Sequence, residues 1–201
     1  MKEILPGVFH WTVPDERFEI PAGSCWWVHR GILVDPSVPP EGLDRFRQAE
    51  IPEHVLLTGG DRYRDSNRFA DAFECPVWCH AAGTADFRAG ELVRAFRRGD
   101  ELPAGIEPFE IGAVRPDQTA FVFPRELGLV ALGSGLVREG DGPIAFAPDA
   151  LLGPDPDGAR PRLLAACRLL VAGREFDHLL LAHGLPWIGD GKRALAAFVA
   201  T

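Results

Sequence analysis

HVLLTGGDRYRDSNRFADAFECPVWCHAA, residues 54–82, is the stretch whose reading decides the fold. Its first five residues, HVLLT, form a short apolar run suited to a buried strand. The polar segment GGDRYRDS follows. Then comes NRFADAFE, where Phe69, Ala70 and Phe73 recur at helical spacing and Asp65 or Ser66 is placed to act as the N-cap. PVWC, residues 76–79, returns to strand character. Strand, helix and strand in this order make a right-handed crossover, so the two strands are expected to lie parallel in one sheet.

Towards the N-terminus, residues 4–13 and 24–34 read as β-rich segments, the second split by a turn at Arg30-Gly31 and ended by Asp35-Pro36. Residues 39–50 have a proline start and helix-compatible charge. Towards the C-terminus, residues 84–98 predict an amphipathic helix with Phe87, Leu92, Val93 and Phe96 facing the core. Short strands are expected at 106–111, 119–123 and 128–132. A helix over 162–173 follows, with Asp155 and Asp157 favouring its positive end. HLLLAHG, residues 178–184, is a further buried strand, and Asp190 is placed to cap a last helix over 191–200.

At 201 residues, 46% of them hydrophobic and 25% charged, the chain has the balance of a globular protein with one core, and residues 1–201 are expected to form one domain. A formal charge of -8 and a pI near 5.2 argue against a nucleic-acid partner, which would need many cationic contacts to phosphates. No apolar run is long enough to span a bilayer, and a cytoplasmic location without membrane partners is expected. Cys25, Cys75, Cys79 and Cys167 are too few for a disulfide framework and are expected to be thiols.

This order of elements, two sheets covered by helices, resembles the metallo-β-lactamase superfamily, which includes the glyoxalase II-like hydrolases, and the resemblance covers nearly the whole chain. Residues 54–82 are similar to the family pattern of a strand ending in Thr, a His-x-His-x-Asp-His turn, a helix, a second strand and a terminal His. GILVDPS (31–37), LGLVALGSGLV (127–137) and FDHLLLAHG (176–184) are similar to further family strands. The resemblance implies an α/β fold, an αββα four-layer sandwich.

It also implies where metals would be held, and there this sequence departs from the pattern. The turn positions carry Gly59, Asp61, Tyr63 and Arg64 in place of the ligands. The stretch Gly112 to Pro116 offers no histidine, and Ser134 stands where the family has a bridging aspartate. His183 alone keeps the family residue. Zinc needs three or four imidazole, thiolate or carboxylate ligands, so the resemblance here implies no zinc pair and no other cofactor. A metal-activated hydroxide is then not expected either.

Asp61, Arg62, Arg64 and Asp65 place four charges within five residues. One reading has Arg64, helped by His183 and Ser134, receiving a small anion such as a carboxylate or phosphate. The other is a solvated turn or an internal pair that fills the gap. Gly59 and Gly60 fit either an anion-binding nest or a simple turn. Tyr63, the chain's one tyrosine, fits either a hydrogen-bond donor or a packing residue. Cys75, Cys79 and His80 lack a second ligand pair, and His10, His29, His54 and His178 lack partners at ligand spacing. A triad of Ser134, His183 and Asp61 or Asp35 has no nucleophile-elbow motif to support it.

Three functional classes follow. The chain is a non-hydrolytic relative that binds a small anion or a protein partner, a hydrolase working with one atypically held metal or with none, or an interaction module. In the last case a homodimer would use the Trp26-Trp27 pair as apolar contact area.

Overall fold

The computed structural model describes residues 1–15, 18–87 and 92–200. The chain opens with an antiparallel meander, β1 (Lys2–Leu5), β2 (Val8–Asp15), β3 (Phe18–Trp27) and β4 (Ile32–Val34). A single helical turn, α1 (Asp44–Arg47), leads to β5 (His54–Leu56). Next come α2 (Ser66–Phe73) and β6 (Val77–His80), then β7 (Val93–Phe96), β8 (Glu107–Glu110) and β9 (Thr119–Val122). The chain closes with β10 (Leu129–Arg138), β11 (Ala145–Phe146), α3 (Pro156–Gly173), β12 (His178–Gly184) and α4 (Gly191–Val199).

β5 and β6 pair in parallel through Val55 with Val77 and Leu56 with Trp78, with α2 as the crossover. Hydrogen-bonded neighbours run β7-β6-β5-β4-β3-β12-β10-β9-β8, and this path curls so that its two halves face each other. Three apolar clusters show the layering. Trp11, Trp26, Phe46, Val55, Leu57, Phe69 and Val77 join α1 and α2 to the outer face of the first half. Val34, Leu56, Phe96, Phe121, Leu129 and Leu180 fill the space between the halves. Val130, Leu132, Leu163, Cys167, Leu170, Leu179, Leu195 and Val199 join the second half to α3 and α4. The result is helices, sheet, sheet, helices. Strands buried on both faces must be apolar throughout, which is why β5 and β12 read as unbroken hydrophobic runs.

Three expectations need correction. The described part of 84–98 holds no α-helix, and residues 88–91 lie outside the described residues. Ala81–Asp86 form a 3₁₀ segment, in which the Thr84 hydroxyl donates to the Ala81 carbonyl. β7 then pairs in parallel with β6, and Leu92 is 89% exposed instead of facing the core. The open edge of β6 supplies a ladder that local helical spacing does not outweigh, while Phe96 still reaches the interior. The helix expected at 39–50 shrinks to one turn. α3 begins at Pro156, where Asp155 accepts a hydrogen bond from the Gly158 amide at 3.0 Å and Pro156 occupies a first-turn position that needs no amide donor.

β10 departs from a plain strand where the site is built. Leu132 pairs with Leu181 and Val137 with His183, so four β10 residues stand against one residue of β12, Ala182, in a bulge carrying Gly133, Ser134 and Gly135. Gly135 has φ 105°, and a Cβ there would lie 2.7 Å from Leu163 Cδ2. Among the described residues, no helix is long and apolar enough to cross a membrane.

Candidate functional site

The turn after β5 coils into a 3₁₀ segment, Gly60–Arg62. A Cβ on Gly60 would lie 2.8 Å from the Gly83 carbonyl, so this close approach requires glycine. The Gly60 amide donates to Asp117 Oδ2 at 2.5 Å. The nest reading of the two glycines thus meets an internal carboxylate on the Gly60 amide.

The tight turn aims Arg62 inward, where its side chain is 2% exposed. Its Nε donates to Ser134 Oγ at 3.2 Å, and Nη2 donates to the same oxygen. Nη1 stands 3.3 Å from His183 Nε2. Asp61 Oδ2 is 3.7 Å from Nε, and Asp15 Oδ2 lies 3.9 Å from His183 Nε2. Ser134, His183 and the turn therefore converge as the sequence suggested, but on Arg62 and not on Arg64. With Ser134 Oγ accepting from one part of the guanidinium and His183 facing another, the serine, imidazole and carboxylate are not arranged as a nucleophile-base relay.

Arg64 instead turns towards β3 and β4, with φ 44° in the left-handed region that non-glycine residues seldom occupy. Its Nη1 donates to the carbonyls of Gly23 at 2.6 Å and Asp35 at 2.7 Å. Its Nη2 is buried with no hydrogen bond among the described residues. Burial pulls the Arg64 guanidinium down to about 10, against the pull of the Asp35 carboxylate. Asp35 is buried, and burial raises it above the usual carboxylate range, opposed by Arg64 and Arg62. It accepts from the Thr58 amide at 2.8 Å and the Thr58 hydroxyl at 2.6 Å, which holds the end of β5 against the end of β4.

The other expected site residues find structural partners. Tyr63 packs on Phe87 with ring centroids 5.3 Å apart. Asp65 stands at the N-cap position of α2 without a side-chain cap bond and accepts from the Val38 amide at 2.8 Å instead. Cys75 and Cys79 are buried thiols, pushed up by desolvation to about 11 and about 12. Trp26 is fully buried and Trp27 packs on Phe123, so the Trp26-Trp27 pair is not an exposed contact area.

Several residues of the site were missed by sequence reasoning. Arg115, from the loop that offered no histidine, lies 3.8 Å from Asp61 Oδ1, donates to Asp117 Oδ1 at 3.0 Å and pairs with Asp86. Asp15 comes from the far end of β2. The arginine and acid two positions apart in VRPDQ were the local signal, and nothing in the sequence ties them to the turn at 59–65.

No protein-family model matches the sequence, and no curated protein matches it. Solved structures do. A metallo-β-lactamase from Pontibacter korlensis superposes with TM-score 0.70 at 14% identity, over 99% of this chain and 96% of that one. A metallo-β-lactamase from Erythrobacter litoralis gives 0.69 at 17%, over 99% and 95%. The rubredoxin oxygen:oxidoreductase of Desulfovibrio gigas gives 0.69 at 13%, and this chain spans 60% of that protein's length. The fold is the metallo-β-lactamase fold. On that fold the turn after β5 carries Gly59, Asp61, Tyr63 and Arg64, one carboxylate and no imidazole. Among the described residues, no three His, Cys, Asp or Glu side chains are grouped to hold an ion. Asp61, the one carboxylate at those turn positions, stands between the guanidinium groups of Arg62 and Arg115, which oppose a cation there.

Proposed function

We propose that this chain is a non-hydrolytic protein on the metallo-β-lactamase fold, a small-anion-binding or interaction protein in which a guanidinium replaces the metal pair. The observation that carries this reading is Arg62, enclosed at 2% exposure with Ser134 and His183, two of the inherited ligand positions, against it. A buried guanidinium is a permanent cation and offers no open coordination position for water, so it cannot generate the hydroxide that a metal would supply. Of the two binding roles, a small carboxylate or phosphate would meet the half-buried Arg64, whose hydrogen bonds among the described residues both come from Nη1.

The test is elemental analysis of protein produced with zinc, iron and manganese supplied, together with ester, thioester and β-lactam hydrolysis assays. Well under one equivalent of metal and no turnover are expected; stoichiometric metal or metal-dependent turnover would end the proposal in favour of the atypical hydrolase. Melting curves in phosphate at matched ionic strength address the anion. A saturable upward shift in the wild type, lost in Arg64→Ala, is expected, and the absence of any shift would favour a protein partner.

A further inference from the structure

Among the described residues, the side chains that stand against the Arg62 guanidinium can each accept from it, and the charge of Arg64 lies near enough to oppose it. The acceptors are the Ser134 hydroxyl, His183 Nε2 at 3.3 Å from Nη1, and the Asp61 carboxylate at 3.7 Å from Nε, with Asp15 behind His183 at 3.9 Å. Apart from Asp61, they are carried by elements other than the 3₁₀ turn that bears Arg62. Asp15 ends β2, Ser134 sits in the β10 bulge and His183 lies in β12. Ser134 and His183 are framed by the parallel pairing of β10 with β12, and Gly135 packs close to Leu163. Ser134, His183 and Asp15 are therefore carried by backbone other than the Arg62 turn, so shortening Arg62 removes the fork but not the groups that face it.

A chamber of fixed acceptors, shaped by a planar five-donor fork and closed to water, has the makings of a binding site for that fork alone. We infer that it is a receptor for guanidinium-type organic cations whose resident ligand is tethered to the chain, so that removing the tether lets a free guanidinium ion bind. The inference rests on the reading of Arg62 given above, yet it is tested by ligand uptake and not by metal content or turnover, so the two fail separately.

The experiment compares wild type with Arg62→Ala by thermal melting in about 10 mM guanidinium chloride, far below the molar range that denatures proteins. Urea serves as the neutral planar control and sodium chloride as the ionic one. Arg62→Ala is expected to melt lower than wild type and to regain several degrees, saturably, in guanidinium only, while wild type gains nothing. Equal effects of guanidinium and sodium chloride on the variant, or an equal guanidinium gain in wild type, would overturn the inference. Should Arg62→Ala fail to fold, Arg62→Lys and Arg62→Met decide. A receptor for cations keeps more stability with Lys than with Met, whereas apolar replacement of a buried pair that matches or exceeds Lys overturns it.

Discussion

Arg62 carries its charge into the interior, against Ser134 and His183, and Arg64, two residues on, does not. Arg62 and Arg64 are two apart, and in an extended chain they would point the same way. The 3₁₀ turn at Gly60–Arg62 and the positive φ at Arg64 separate them, sending the first to Ser134 and the second to the carbonyls of Gly23 and Asp35. That choice depends on backbone dihedrals set by the contacts of Gly60 with Gly83 and Asp117, which lie far away in sequence. So the turn, Ser134 and His183 were legible as a group, and the arginine at their centre was not. His10 offers a test at this scale. It is buried with Nε2 lacking a hydrogen bond among the described residues, and burial lowers it from 6.5 to about 4. The unfolded chain then takes up a proton at a higher pH than the folded one. This contribution is present above pH 6.5 and is lost as pH falls towards 4, on the order of 3 kcal/mol in all. Urea unfolding from about pH 7 to about pH 4.5 should therefore show a steeper loss for wild type than for His10→Phe; parallel curves would contradict it.

Elements were legible where burial makes their pattern unambiguous. β5, β12 and α2 follow directly from apolar runs and helical spacing, and so does the parallel pairing of β5 with β6. The segment at 84–98 misled because its apolar residues satisfy helical spacing while its pairing partner, the open edge of β6, lies outside the segment. β10 was foreseen only as far as Leu132, since three small residues, Gly133, Ser134 and Gly135, read as an end and not as a bulge. That bulge is the element that presents Ser134. At φ 105° and 2.7 Å from Leu163, Gly135→Ala should cost on the order of 1–3 kcal/mol in urea unfolding, from backbone strain alone and more with the clash. A change within about 0.5 kcal/mol would mean the bulge tolerates a side chain and does not fix Ser134 as argued.

Over the whole molecule, the two halves of the curled sheet meet through apolar contacts in the middle and through polar contacts at one end. Arg62 follows β5 in the first half, whereas Ser134 and His183 belong to β10 and β12 in the second. The guanidinium is thus a tie between halves, and its loss should act on both. Hydrogen exchange of Arg62→Ala should speed up in residues 129–138 and 178–184 as well as beside the substitution; acceleration confined to residues 58–66 would show that the tie is local. A cation built into the chain has one more consequence. It is synthesised in fixed ratio with the groups that enclose it, it reaches its place in the same event that closes the fold, and no chelator can strip it. Under the proposed reading, maturation of this site is independent of how much metal its surroundings provide.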